Sequence, residues 1–460
     1  MIIIKNGTIV TESESYCSDI MIENNKISCI GANLSNDNAE IIDALGMYII
    51  PGAVDVHTHM DLQSGNSRSI DDFYTGTVAA VCGGTTSIVD HVAFGPKNCD
   101  IRHQIDEYHK LAKGKAVIDY GFHGVIQHVN DEVLSEMESL VKEGISSFKI
   151  YMTYDFKLDD VLILKVLKKA KELGVIIAVH AENNDVINYL RENYVSNGCL
   201  ETIYHAKSRP DHCEAEAISR VLHLAALAGD APIYIVHIST EKGLDEIRKA
   251  RAQGQKNIFS ETCTQYLTMT EKKYLEPDNN GLKYVMSPPL RHKNDIDALW
   301  KGVQDGAINV IATDHCSFNL KGDKQKGVND FTKCPNGAHG VAERVMVIFS
   351  EGVMNKKISI NRFVELLCTN PAKIYGLYPK KGSLIPGGDA DITIINPNPE
   401  YTLTRSMLHG AVDYTCFEGM TLKGDIDTVI QGGKVAYKNN EFLGKKGDGK
   451  FIKRKVMKQY

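Results

Sequence analysis

Residues 54–59 read Val-Asp-Val-His-Thr-His, directly after Pro51-Gly52-Ala53. Val54, Val56 and Thr58 alternate with Asp55, His57 and His59, which is the period of a strand, so the two imidazoles project to one side at its end. Paired histidines at this spacing can grip one divalent cation without rearranging the backbone. A lone His-x-His is weak evidence, because surface strands carry it by chance. Four further candidate ligands, however, end hydrophobic runs later in the chain: Lys149, His180, His237 and Asp314.

Eight strand-like runs recur between residues 50 and 320: Val54–His59, Thr86–Phe94, Val117–Val125, Ser147–Tyr154, Val175–Glu182, Ile233–Ser239, Ile258–Tyr266 and Ala307–His315. Most are near-continuous Val/Ile-rich segments, as strands buried on both faces require. Helical patterns lie between several of them. Val161–Leu173 and Glu214–Ala228 repeat apolar residues at 3–4 spacing, and Gly174 and Gly229 follow as stops. Strand and helix alternating in this way predict an α/β chain built on a (β/α)8 TIM barrel over 51–378. The candidate ligands fall at the C-terminal ends of the strands, where such barrels assemble their active sites.

The flanks differ. Residues 1–50 and 379–460 are short strands punctuated by Asn and Gly, and they predict a small β-sandwich formed from both termini. Pro386-Gly387-Gly388-Asp389 invites a phosphate-loop reading, but no helical pattern follows, so a tight turn is expected. The end is basic (Lys445, Lys446, Lys450, Lys453, Arg454, Lys455, Lys458), which reads as a solvated face or a subunit contact.

A formal net charge of -6 argues against a nucleic-acid binder. Apolar runs are short and interrupted, so no membrane span is expected. The chain enters directly as strand-like MIIIKNGTIV with no signal-peptide pattern, which points to the cytoplasm. Eleven scattered cysteines are expected to be free thiols, with Cys316 and Cys334 near the site but not ligands.

Four histidines, an aspartate and a lysine exceed what one tetrahedral zinc can use. Two metals need a bridging anion, and no spare carboxylate ends a strand beside them. A lysine facing a barrel centre among cations would have its pKa depressed, favouring the neutral amine. Such an amine can add carbon dioxide, and the resulting carbamate has two oxygens with which to bridge.

These marks resemble the cyclic amidohydrolases of the amidohydrolase superfamily, in particular the hydantoinase/dihydropyrimidinase group and its bacterial phenylhydantoinases. They are VDVHTH (54–59), GGTT with a strand ending Asp90-His91, SFKIYMTY (147–154), VHAEN (179–183), SRPDHCEAEA (208–217), IVHIST (235–240), MSPPLR (286–291) and ATDH (312–315). The resemblance implies two divalent metals per subunit, zinc or else manganese or cobalt. His57, His59, Lys149 and Asp314 would hold one, and Lys149, His180 and His237 the other, with Lys149 carboxylated to N6-carboxylysine. A metal-bridging hydroxide would attack the ring amide of a 5-substituted hydantoin or dihydropyrimidine, giving an N-carbamoyl amino acid. Asp314 would shuttle its proton, Tyr154 would donate to the oxyanion, and backbone groups at Ser287 and Asn336 would read the imide edge. The expected partner is a small cyclic ureide, with no nucleic acid or membrane, in a homotetramer.

His91, His123, His128, His205, His315 and His339 are expected to be structural or supporting, with His123 and His315 nearest the site. Arg209 and Glu214 are expected to brace a loop. The Asp61–Phe73 loop with Tyr151, Met152, Phe156 and Leu158 should line the substituent pocket. The alternatives are another cyclic amidase, an allantoinase or dihydroorotase, or a non-catalytic dihydropyrimidinase-like scaffold. The pattern of dihydroorotases places a carboxylate-binding arginine where this chain has Asp61, and retention of all six ligands argues against a scaffold.

Overall fold

The Val/Ile-rich runs fold as eight parallel strands, most of them shorter than the run that encodes them. A computed structural model describes residues 1–64 and 67–457; Gly65 and Asn66 of the 61–73 loop and Lys458 of the tail lie outside them. Seven strands precede the barrel: β1 (Ile2–Lys5), β2 (Thr8–Val10), β3 (Ser15–Cys17), β4 (Asp19–Glu23), β5 (Lys26–Gly31), β6 (Glu40–Asp43) and β7 (Tyr48–Pro51). The barrel opens with β8 (Ala53–Thr58), followed by a small hairpin of β9 (Gln63–Ser64) and β10 (Ser67–Arg68). Its other strands are β11 (Thr85–His91), β12 (Asp119–Val125), β13 (Ser147–Tyr151), β14 (Ile176–His180), β15 (Ile233–Ile235), β16 (Ile258–Cys263) and β17 (Val310–Ala312). They are hydrogen-bonded in chain order from β8 and β11 round to β17. The circle closes where first and last strands end, with His59 N donating to His315 O at 2.8 Å.

Helices α1 (Thr75–Cys82), α2 (Ile101–Ala112), α3 (Asp131–Glu143), α4 (Asp160–Leu173), α5 (Asn184–Ser196), α6 (Ile203–Lys207), α7 (Asp211–Leu227), α8 (Glu241–Ala252) and α9 (Lys293–Asp305) lie between the strands. The two sequence-predicted helices are α4 and α7. Asp159 caps α4 by accepting from Leu162 N, and Gly174 ends it in the left-handed conformation. Helix α7 starts three residues before the expected Glu214, with Pro210 at its N-cap supplying a fixed φ.

Strands end early because residues bearing chemistry leave the ladder. Tyr154, His237 and Asp314 have φ of 70°, 40° and 55°, a region that non-glycine residues seldom occupy. The expected run Ile233–Ser239 therefore stops as a strand at Ile235, and Ala307–His315 contracts to Val310–Ala312.

The termini build two sheets, in the orders β5-β4-β1-β6 and β21-β20-β19-β18-β7-β2-β3, with β18 (Ile392–Thr402), β19 (Thr421–Gln431), β20 (Lys434–Lys438) and β21 (Glu441–Phe442). Ile4, Ile20, Ile49, Ile392 and Ile430 share one buried cluster there. The turn at 386–389 is tight, with Gly388 N donating to Ile385 O. The basic tail does not stand off in solvent. Gly449, Ile452, Arg454 and Met457 are buried while Lys450, Lys453 and Lys455 are exposed, and Ile452 and Met457 join the cluster inside the barrel. Backbone bonds from Lys450, Ile452, Arg454 and Lys455 to Tyr120, Gly144 and Gly376 fasten the segment to its own chain.

Candidate functional site

A cavity of about 540 Å³ at the C-terminal mouth of the barrel is lined by His57, His59, Lys149, His180, His237 and Asp314 together. His57 and His59 each bring Nε2 to 3.1 Å from Asp314 Oδ1. Barrel closure accounts for this meeting, because the His59–His315 backbone bond draws Asp314, two residues past β17, against the end of β8. The donor atoms of the three lie within 4.8 Å of one another. Opposite them, His237 Nε2 stands 2.9 Å from His180 Nδ1, and the His237 ring stacks on His57 at 5.4 Å.

Lys149 projects from β13 and is 1% exposed; its Nζ lies 5.3 Å from the centre of the Tyr151 ring and has no hydrogen-bond or ion-pair partner among the described residues. Burial pushes its ammonium down to about 8, against the pull of Asp314 and Glu261. Its charge acts unfavourably on all four imidazoles, which sets it amid them.

Carboxylates behind the rings orient them. Glu261 Oε1 accepts from His57 Nδ1 at 2.6 Å, and Glu182 Oε2 lies 2.7 Å from His180 Nε2 and 2.6 Å from Arg209 Nη1. Each ring thus presents its other nitrogen to the cavity. Burial alone would lower His57, but Glu261 and Asp314 overturn this and push it up to about 9. Burial lowers His59, and it lowers His237 well below the usual range with His180 adding to the effect. Burial would raise Asp314, but His57, His59 and His237 hold it well below the usual carboxylate range.

This donor set fits divalent cations. Imidazole nitrogens, a carboxylate held ionised and a buried amine converge on one space, and crowding them there without a cation is costly.

Tyr154 faces His180 with ring centroids 5.2 Å apart, and its backbone N donates to Asn184 at the start of α5. Burial pushes its phenol up to about 12 although Arg209 opposes, so it remains a donor at neutral pH. Ser287 and Asn336 line the same cavity, joined by a 3.3 Å hydrogen bond. Leu62, Phe94, Tyr151 and Phe156 give the cavity an apolar and aromatic wall. Phe94 stacks on Phe156 at 4.3 Å, whereas Met152 and Leu158 turn into the hydrophobic core.

Three expectations change. Asp61 does not line the cavity; φ of 55° turns it back, and its carboxylate accepts from Arg68 and from Phe73 N. His91, rather than His123 or His315, packs on the ligand candidates, 4.6 Å from the His57 ring and 5.2 Å from that of His59. His123 lies beneath it, bonded to Val56 O and Ser147, and His315 pairs with Asp71 at 3.2 Å. Glu261 was missed, although one acid within a fully buried strand run is itself a signal that a partner faces it. Arg209 and Glu214 do brace loops: Glu214 accepts from Ser239 and Thr240, backbone and side chain alike. The cysteines are free thiols among the described residues, and Cys316 lines the cavity.

The chain matches the amidohydrolase family over residues 48–436. A D-phenylhydantoinase of Escherichia coli (strain SE11) is 47% identical over 455 residues, covering 99% of this chain and 98% of that one. Among solved structures, a dihydropyrimidinase from Brevibacillus agri NCHU1002 superposes with a TM-score of 0.98 at 43% identity over 100% of both chains. A D-hydantoinase from a Bacillus sp. AR9 does so with 0.97, also at 43% identity and 100% of both.

Proposed function

The chain belongs to the amidohydrolase family, and from that premise we propose that it hydrolyses the cyclic amide bond of 5-substituted hydantoins and dihydropyrimidines to N-carbamoyl amino acids. The observation that carries the reading is the convergence of His57, His59, Lys149, His180, His237 and Asp314 on one cavity with an aromatic outer wall. Full-length similarity to a D-phenylhydantoinase supports the same substrate class.

His57, His59 and Asp314 would hold one divalent cation and His180 with His237 a second, zinc in each case, with carboxylated Lys149 shared between them. When bound, the cations would acidify a shared water and polarise the scissile carbonyl. Asp314 accepts a proton from the attacking water and returns it to the leaving ring nitrogen. Tyr154 donates its phenol hydrogen to the developing oxyanion. Backbone groups at Ser287 and Asn336 bind the imide edge, while Leu62, Phe94 and Phe156 exclude water around the substituent.

No arginine lines the cavity among the described residues, and Lys149 is the only lysine there. A dihydroorotase reading therefore lacks a cation for the substrate carboxylate. The protein is proposed to work in the cytoplasm as a homotetramer; no helix among the described residues is long and apolar enough to cross a membrane. Incubation with 5-phenylhydantoin and dihydrouracil, with ring-opened products read by mass spectrometry and metal content by elemental analysis, tests the reading. Metal-loaded protein that opens neither ring would refute it.

A further inference from the structure

Beneath the candidate centre a column of buried side chains runs down the barrel axis and ends in the C-terminal tail. Glu261 accepts from His57 through one oxygen and from Tyr234 OH at 2.8 Å through the other. Tyr234 meets Tyr375 edge to face at 5.1 Å, and Tyr375 meets the guanidinium of Arg454 at 5.9 Å. None of the five is more than 3% exposed.

The barrel floor is shaped to admit this arginine. A Cβ on Gly121 would stand 3.1 Å from Arg454 Nε, and Cβ atoms on Gly144 and Gly376 would strike Lys453 and Lys455 on either side. Arg454 Nη2 donates to Phe122 O, but Nε and Nη1 have no hydrogen-bond partner, and Arg454 has no ion-pair partner among the described residues. A guanidinium so buried is unfavourable unless a carboxylate shares its field. Glu261 is the acid of the column, and Tyr375, which meets the guanidinium at 5.9 Å and Tyr234 at 5.1 Å, lies between the two in the chain of contacts.

We propose that Arg454 is a positioning residue for His57: the tail supplies, through the Tyr375–Tyr234 stack, the counter-charge and support that hold Glu261 against His57 Nδ1, and so aim His57 Nε2 at the metal. The proposal rests on the reading of His57 as a metal ligand. Such supporting partners typically change metal affinity 10–100-fold when removed.

The test is the rate at which purified, metal-loaded protein loses metal to a chelator, with circular dichroism checking the fold. Arg454→Met should lose metal at least ~10-fold faster, and Tyr234→Phe should do likewise. Because both act through Glu261, the double variant should be no faster than the worse single. Arg454→Lys, which keeps the charge, should recover most of the retention, and Lys453→Met, on the exposed face, should match wild type. Where Arg454→Met does not fold, Arg454→Gln takes its place. Wild-type retention in the Met or Gln variant, equal loss in the Lys and Met variants, or additive losses in the double variant would each overturn the proposal. Wild-type protein that holds no metal would instead overturn the functional reading on which it stands.

Discussion

Glu261 Oε1 lies 2.6 Å from His57 Nδ1, and the same oxygen accepts the backbone N–H of His237 at 3.0 Å. One carboxylate therefore fixes the ring of one donor and the left-handed backbone of another. Glu261→Gln should weaken metal binding 10–100-fold, read by competition with a coloured chelator. Unchanged affinity would remove Glu261 from the support of both histidines.

Lys149 is buried, unpaired and pushed down to about 8, the condition in which an amine is free to take up carbon dioxide. Lys149→Ala should lose metal and turnover, and short carboxylic acids added to the assay should restore part of both. Full activity in the bare variant would dispose of the carbamate bridge.

Asp314 and Tyr154 line the cavity from different loops, so in the proposed reaction their losses should differ in kind. Asp314→Asn keeps most of the fold but should slow turnover at least ~10²-fold, the scale of general acid–base catalysis. Tyr154→Phe should lower kcat by about 10²–10³, the loss of one oxyanion donor. A variant with wild-type kcat would show that its residue has no such role.

Specificity follows from the cavity wall. Among the described residues no arginine lines the cavity to pair with a carboxylate-bearing ring, so dihydroorotate should trail 5-phenylhydantoin at least ~10³-fold in kcat/KM. Since Asp61 faces Arg68 and not the cavity, Asp61→Asn should leave this ratio unchanged. Dihydroorotate as the better substrate would undo the assignment.

Behind the site, His339 Nδ1 is 2.9 Å from Glu343 Oε1, both buried. Burial would lower the imidazole, but Glu343 prevails and pushes it up to about 10. A raised pKa in the folded state means the pair stabilises fully below the unfolded histidine value of about 6.5 and is lost as pH rises through about 10. Urea unfolding should find His339→Gln weaker than wild type at pH 6.5, with the gap shrinking toward pH 10. A gap that widened with pH would reverse the sign.

The barrel was legible because its strands are buried on both faces and read as continuous Val/Ile runs, and the six residues that line its cavity together because they lie within or just past such runs, Lys149 at the middle of β13. Strand lengths were not legible: Val236 and Ile238 carry the apolar pattern on past Ile235, yet β15 has already ended and His237 has turned to positive φ, as Asp314 does beyond β17. Nor was the support around the site. His91, Glu261 and Tyr234 are neighbours only once strands far apart in sequence close into a ring. Asp61 looked decisive in a linear alignment of residue types, yet one left-handed residue turned it away. The tail was legible in part: its described lysines are solvated as the charge suggests, but a count of lysines hides that Ile452, Arg454 and Met457 turn inward.

Strand β7 pairs on one side with β2 and on the other with β18, Pro51 lying opposite Ile392. On a ribosome the partner of that apolar edge arrives only after the entire barrel has been translated, roughly 20–70 s later at ordinary elongation rates. Throughout that interval Ile49 and Ile50 offer an open ladder to any neighbouring nascent chain. Premature termination anywhere before residue 392 would leave the edge open for good, so truncated products should collect as aggregates rather than as smaller enzymes.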